Sequence, residues 1–296
     1  MSHAFDCQRR QFLATTACGL AAMNATSLLA ADDKPAFKKA VKIGMVKIPG
    51  SLLDKFELLA ELGYAGVELD SPGGASAEEV KKCIAETGVQ VPGVVDSAHW
   101  KDTLSDPSEE VRARGRQALE QALRACKDYG GTSVLLVPGV VRGGVSYEQC
   151  WERSIAEIKK VTPLADDLGL DILIENVWND FLTDPKEMAR FIDACDSKRV
   201  GAHFDTGNTV RYSPPNEWIP ILGKRIKKLD IKDYKKGPDL GAGFGAKLLE
   251  GDVDWVKVMA ELKKIGYSGW GTAEIQSGDR VWLTDVAARM DRIYAS

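Results

Sequence analysis

The sequence has few histidines and no closely spaced cysteines. Only three of its 296 residues are histidine and six are cysteine, and no two cysteines have C-x-x-C spacing. Zinc modules and small disulfide scaffolds depend on such clusters, so neither class fits this chain. Lys and Arg (39) do not outnumber Asp and Glu (43), and the formal net charge is -4. A nucleic-acid-binding domain usually has a basic face, so we expect no nucleic-acid partner.

Long hydrophobic runs are also scarce. The mostly apolar stretch Phe12–Ala30 contains polar residues and is too short and polar for a good membrane span, so we expect no stable membrane insertion. It follows Arg9 and Arg10, and a paired arginine before an apolar stretch is typical of a twin-arginine export signal. We therefore predict an export signal at 1–30, a linker at 31–40 and a periplasmic location. A short buried or anchoring helix is the alternative.

The rest of the chain alternates short apolar runs with amphipathic helical patterns. The runs are Val41–Lys47, Ala65–Leu69, Gln90–Val95, Ser133–Val137, Leu170–Glu175, Val200–Asp205, Ile226–Ile231 and Gly269–Ile275. Strands that alternate with helices indicate a parallel sheet. Eight such units have the size of a (β/α)8 barrel. An open doubly wound sheet is the alternative, but no G-x-G-x-x-G follows the first run. We predict a single-domain α/β protein, a (β/α)8 TIM barrel, over residues 41–296.

Each of the last four predicted strands brings a carboxylate to its C-terminal end, where the sites of such barrels lie. These carboxylates are Glu175, Asp205, Asp230 and Glu274. Side chains alternate along a strand, so Asp230 faces the barrel interior if Leu229 and Ile231 face the helices. The same argument turns Glu274 inward and places His203 on the inward face with Asp205.

Several inward carboxylates at one rim need compensation, because burying unpaired charge is very unfavourable. A divalent cation would supply it. Ligands that are all oxygen favour Mg²⁺ or Mn²⁺ over a thiolate-type zinc site. Alternatively, one or two of these acids cap a helix or pair with Lys228, Lys232 or Arg225.

Four motifs then indicate a family. They are Ile174–Asn179, His203–Asn208, Lys232–Tyr234 and Leu249–Trp255. Together they resemble the xylose-isomerase-like TIM-barrel sugar isomerase/epimerase superfamily, with the closest likeness to its ketose 3-epimerase and sugar-phosphate epimerase branch. The resemblance extends over residues 40–294.

The resemblance implies a metal site and a reaction. In that family a Glu, an Asp, a His and a Glu on strands five to eight bind one divalent metal. For this chain the oxygen ligands favour one Mn²⁺ or Mg²⁺ ion. Glu175, Asp205 and Glu274 match this pattern, whereas Asp230 stands where the family has His. The implied activity is metal-dependent sugar isomerisation or epimerisation, by proton abstraction next to a carbonyl through an enediolate. Glu175 and Glu274 would act as the catalytic base and acid.

Further residues are candidates for contact with the small-molecule sugar. They are His99, His203, Glu68, Asn208, Lys232 and Trp178. Asn208 stands where many relatives have a substrate-binding His, and for the others a structural role is the alternative. Similar proteins are commonly dimers or tetramers, which implies a homo-oligomer.

Two alternative functions stay open. A metal-dependent lyase or hydratase on oxidised (keto) sugars would use the same intermediate. A non-catalytic sugar-binding protein would not need both Glu175 and Glu274. The DNA-repair nucleases of the superfamily need a zinc cluster with several histidines, which this chain cannot supply.

Overall fold

The structure, a computed structural model, describes residues 37–296 and contains a closed barrel of parallel strands. The strands are β1 (Phe37–Lys42), β2 (Gly66–Ser71), β3 (Gly93–Asp96), β4 (Ser133–Leu136), β5 (Asp171–Glu175), β6 (Val200–Asp205), β7 (Ile226–Ile231) and β8 (Gly269–Ala273). Each strand pairs with its neighbours in chain order, and β1 also pairs with β8. The predicted (β/α)8 TIM barrel is therefore confirmed. The predicted export signal and most of the predicted linker lie outside the described residues.

Helices connect the strands on the outside of the barrel. They are α1 (Leu52–Glu61), α2 (Ala77–Thr87), α3 (Glu109–Asp128), α4 (Tyr147–Leu168), α5 (Pro185–Ala194), α6 (Thr206–Thr209), α7 (Pro215–Leu222), α8 (Trp255–Lys264) and α9 (Arg280–Tyr294). Local chemistry fixes their starts: Asp184 caps α5 by accepting from two backbone amides, and Pro185 occupies the first turn. Within residues 37–296, none of the helices has the length and apolarity needed to cross a bilayer.

The first strand ends earlier than its sequence predicts. The apolar run Val41–Lys47 predicts a strand there, but β1 ends at Lys42 and residues 43–45 form a 3-10 turn. That prediction was wrong because the later residues of the run are apolar for another reason. Val46 is buried over the end of the barrel, where it forms an isolated bridge with Gly278. Lys42 is therefore the residue that β1 presents at its C-terminal end.

Strand β7 shows how alternation positions the charged side chains. Leu229 and Ile231 are buried in the hydrophobic core, whereas Asp230 is buried among the charged side chains of the barrel interior. A register shift between β6 and β7, at Ala202 and His203, aligns Asp205 with Asp230. Such bulges re-aim side chains next to functional sites. Two carboxylates are thus brought to the same level of the barrel.

Below these carboxylates the interior contains a buried ion pair. Nζ of Lys228 on β7 lies 2.9 Å from Oε1 of Glu68 on β2 and donates a 3.0 Å hydrogen bond to the carbonyl of Pro92. Gly93 on β3 leaves the space for this ammonium group. A Cβ at Gly93 would overlap Lys228 Nζ and lie 2.9 Å from the backbone oxygen of Ser133.

We expect Gly93→Ala to destabilise the protein by about 1–3 kcal/mol, the usual cost of overpacking a closed interior. The methyl group would displace the Lys228 ammonium, and the Ser133 carbonyl on β4 has no freedom to move away. Urea unfolding of both proteins measures the effect. Gly74→Ala is the matched control, because its Cβ would meet nothing within 4 Å. Equal stability of the two variants would contradict the expected crowding at Gly93.

Candidate active site

The four predicted carboxylates meet at the C-terminal end of the barrel. Glu175 and Asp205 are the last residues of β5 and β6, Asp230 lies within β7, and Glu274 directly follows β8. One oxygen from each of the four lies within 4.8 Å of the others. Asp205 and Asp230 are fully buried, Glu175 is nearly so, and the side chain of Glu274 is 23% exposed. Glu274 is thus the member of the group most open to the surface.

Two lysines insert between the carboxylates. Nζ of Lys42 lies 2.8 Å from Asp230 Oδ2 and 2.6 Å from Glu274 Oε2. Nζ of Lys232 lies 2.8 Å from Asp205 Oδ2 and 2.7 Å from Glu274 Oε1. Glu274 is therefore held by an ammonium group on each of its oxygens.

The environments of Glu175 and Glu274 separate their pKa values. Burial raises the pKa of Glu175 well above its usual range, and the neighbouring Glu274 carboxylate raises it further. Burial also acts on Glu274, but Lys232 and Lys42 outweigh it and hold the pKa of Glu274 well below its usual range. Burial likewise raises the pKa of Asp205 to about 6, against the opposing charge of Lys232. These surroundings favour the ionised form of Glu274 and the protonated form of Glu175.

The donor set fits a hard divalent cation. With all four carboxylates ionised, the state in which they would bind a cation, the two ammonium groups leave two negative charges without compensation. Asp205 Oδ2 and Asp230 Oδ1 are buried and accept no hydrogen bond of proper geometry, although each has a charged neighbour or a histidine within 3.0 Å. Oxygen ligands of this kind suit Mg²⁺ or Mn²⁺.

Glu68 and His203 lie in the interior of the barrel. Both are almost fully buried, and neither lines the cavity above the carboxylates. Glu68 pairs with Lys228, and Nε2 of His203 lies 3.0 Å from Asp230 Oδ1. These contacts support Lys228 and Asp230, and contact with a substrate stays a prediction for both residues. Alternation along the strands correctly indicates that they point inward but does not give their depth.

A cavity of about 320 Å³ opens directly above Glu274 and Lys232. Its other walls include Met45, Phe244 and Ile275. Trp178 lies behind Phe244, with ring centroids 4.6 Å apart, and its Nε1 donates to the carbonyl of Asn208. Trp178 therefore supports the Phe244 wall of the cavity, and its contact with a sugar stays a prediction.

Asn208 and His99 are held in fixed orientations by the backbone around them. The side-chain amide of Asn208 donates to the Asn176 carbonyl, and its Oδ1 lies 3.4 Å from Lys232 Nζ. Nδ1 of His99 accepts a 3.2 Å hydrogen bond from the backbone amide of Val137, which leaves the proton on Nε2. Burial, followed by the charge of Lys42, lowers the pKa of His99 to about 3. His99 is therefore a neutral donor near the site, and Asn208 positions Lys232.

Sequence reasoning missed Lys42, Phe244 and the structural use of Asp233. Lys42 was missed because the first strand was placed too late, and Phe244 lies in an irregular loop without periodicity. Asp233 accepts hydrogen bonds from the backbone amides of Leu249 and Val253 and from Trp255 Nε1. This carboxylate anchors the long loop after β7, which carries Phe244 to the cavity.

The family model of the xylose isomerase-like TIM barrel matches residues 56–292, and the chain belongs to that family. An uncharacterized protein of Methanocaldococcus jannaschii is 23% identical over 80% of this chain and 85% of its own length. The L-ribulose-5-phosphate 3-epimerase UlaE of Salmonella paratyphi C is 25% identical over 63% of this chain and 64% of its own length. The match therefore spans less than two thirds of that relative.

A solved structure shows the same fold. The D-psicose 3-epimerase of Clostridium cellulolyticum H10, solved with D-tagatose, superimposes with a TM-score of 0.74. The sequences are 17% identical, and the superposition covers 87% of this chain and 98% of the other. At this identity the likeness establishes the barrel architecture and no more.

We expect Lys228→Met to destabilise the protein by about 3–5 kcal/mol at neutral pH, because it leaves the buried Glu68 carboxylate without a partner. Burial alone would raise the pKa of Glu68, but Lys228, His203 and Lys42 together lower it to about 2. Folded protein therefore binds this proton less tightly than unfolded protein. The stabilisation is present above the ordinary pKa of 4.5 and is lost as the pH falls toward 2.

Urea unfolding at several pH values measures this contribution. The control is the double variant Lys228→Met/Glu68→Gln, which removes both charges and should recover most of the lost stability. Equal stability of the single and double variants would contradict the buried ion pair.

Proposed function

We propose that the protein is a divalent-metal-dependent sugar epimerase or isomerase that moves a proton at the carbon next to a sugar carbonyl. One observation carries the proposal: Glu175 and Glu274 offer oxygens within 4.8 Å of each other and of Asp205 and Asp230, below an open cavity. Family membership and the epimerase relatives support it.

The four carboxylates would hold the cation. When bound, a divalent cation supplies Lewis acidity that polarises the sugar carbonyl and favours loss of the neighbouring proton. Asp205 and Asp230 are the best placed to act only as ligands, because both are fully buried below the cavity floor. Lys42 and Lys232 hold Glu274 in place between them.

Glu175 and Glu274 would exchange the proton. Two carboxyl groups whose environments push their pKa values apart form an acid and base pair. Glu274, ionised by its two lysines, is the group that can accept a proton from a sugar in the cavity. Glu175, whose pKa is raised by burial and by Glu274, can donate one. Return of the proton to the opposite face of the same carbon gives epimerisation, and return to the neighbouring carbon gives isomerisation.

The cavity suits a small sugar. Pockets for small ligands measure about 300–1,000 Å³, and this cavity is at the small end of that range, at about 320 Å³. Phe244, Met45 and Ile275 offer apolar contact, while Gln276 and Lys232 offer polar contact.

Exchange of solvent deuterium tests the reaction directly. The full chain, loaded with Mn²⁺, is incubated in D₂O with D-psicose, D-tagatose or L-ribulose, and the sugar is followed by NMR. We expect deuterium at the carbon next to the carbonyl, together with the epimer or isomer. Glu175→Gln and Glu274→Gln should each slow exchange by about 10²–10⁴-fold, the usual contribution of a general acid or base.

Glu78→Gln, at an exposed site on α2, is the matched control and should leave exchange unchanged. Absence of exchange from every sugar by metal-loaded protein would overturn the proposal. A dehydrated product from a keto-sugar would identify the lyase alternative, and sugar binding without exchange would identify a binding protein.

His99 provides a further prediction for this reaction. His99→Asn keeps an acceptor for the Val137 amide but removes the Nε2 donor, so we expect kcat/KM to fall about tenfold, the value of one hydrogen bond. His99→Gln keeps a donor and should retain more activity. Since His99 is neutral above about pH 3, both variants should keep the wild-type pH profile between about pH 5 and 9. A changed profile would show that His99 titrates during catalysis.

A further inference from the structure

Lys42 lies between two of the clustered carboxylates, Asp230 on β7 and Glu274 at the end of β8. It is the last residue of β1, and β1 is hydrogen-bonded to β8, which leads directly into Glu274. Its ammonium group contacts Glu274 at 2.6 Å and Asp230 at 2.8 Å. The Lys42 side chain is only 12% exposed, so water screens these contacts weakly.

Lys232 makes a similar bridge on the other side of Glu274 but also has additional contacts. Besides Asp205 and Glu274, its Nζ lies 3.4 Å from Asn208 Oδ1 and 5.3 Å from the Phe244 ring centroid. It therefore helps to hold the cavity wall. Lys42 forms ion pairs with two of the four clustered carboxylates, Asp230 and Glu274, so its charge acts on the candidate cation site.

We propose that Lys42 sets the charge that this site presents to a cation. With all four carboxylates ionised around a cation, Lys42 compensates the fully buried Asp230 and leaves two negative charges in the cluster where three would otherwise remain. The site then matches a divalent ion and disfavours a trivalent one. This inference rests on the proposed function, because it takes the carboxylate cluster to be the cation site.

Simple electrostatics gives the expected size of the effect. The Coulomb energy between Lys42 and a bound ion scales with the charge of the ion. Removing the ammonium group therefore raises the logarithm of the affinity about 1.5 times as much for a trivalent ion as for a divalent ion. A tenfold gain for Mn²⁺ would accompany a gain of about thirtyfold for Tb³⁺.

The experiment measures the affinities of the metal-free full chain for Mn²⁺, by electron paramagnetic resonance, and for Tb³⁺, by luminescence. Lys42→Met leaves three uncompensated charges, and we expect the ratio of Tb³⁺ to Mn²⁺ affinity to rise about threefold. Asp230→Asn leaves one uncompensated charge, and the ratio of Tb³⁺ to Mn²⁺ affinity should fall by a similar factor. The double variant Lys42→Met/Asp230→Asn again has two uncompensated charges. Its ratio of affinities should therefore return to the wild-type value even if both affinities are lower.

Two controls separate charge from other effects. Lys39→Met removes a lysine from the same strand whose ion pair is with Asp291, away from the cluster, and should leave the ratio unchanged. Lys42→Arg keeps the charge and should do the same. If Lys42→Met does not fold, Asp230→Asn and the double variant still test the proposal, because neither leaves Asp230 as a buried, unpaired carboxylate.

The outcomes distinguish this inference from the proposed function. Wild-type protein that binds neither ion would refute the metal-dependent function itself. Wild-type protein that binds Mn²⁺, with the same ratio in all variants, would overturn the inference about Lys42 alone. An equal gain for both ions in Lys42→Met would also overturn it, since it would show that Lys42 competes for the ion position instead of setting its charge.

Discussion

The mutual repulsion of Glu175, Asp205, Asp230 and Glu274 is the constraint on which the rest of the barrel interior depends. One oxygen of each lies within 4.8 Å of the others in a mostly buried environment, where like charges interact strongly. Two ammonium groups, at the end of β1 and just after β7, flank Glu274 at the end of β8 and compensate part of this charge. The compensation is incomplete, and an incompletely compensated cluster of oxygens is what a divalent cation requires.

The same constraint extends down the barrel axis. Asp230 contacts His203 as well as Lys42, and one layer lower Lys228 neutralises Glu68 in space left by Gly93. Barrel interiors of this fold are usually filled by branched apolar side chains. Here a glycine and a buried ion pair replace that packing beneath the site. His203 contacts Asp230 from this polar interior and Lys42 contacts it from β1, so side chains of the barrel hold this carboxylate in place.

Alternation along β5 to β8 was enough to predict which acids meet, because period-two patterning fixes the face of a strand. It could not predict Lys42, since residues 43–46 continue an apolar pattern that belongs to packing above the barrel. It also gave Glu68 and His203 the correct face but not their depth, which depends on strand stagger and the bulge between β6 and β7. Phe244 lies in a loop whose path is fixed by hydrogen bonds to Asp233, and these long-range bonds leave no local sequence pattern.

The departure at Asp230 is accounted for by its partner on β1. The family that this sequence resembles has a histidine at this position, which is a neutral ligand. Compared with a neutral histidine, Asp230 adds one negative charge to the cluster. Lys42 adds one positive charge 2.8 Å away, so the pair together presents the same net charge as a neutral histidine. The two residues belong to strands far apart in sequence, and each alone would be unfavourable: a buried carboxylate without a cation, or a buried ammonium group among fewer acids. Under the proposed function, the Asp230 and Lys42 pair would keep the net charge of the cation site while supplying a carboxylate ligand in place of an imidazole.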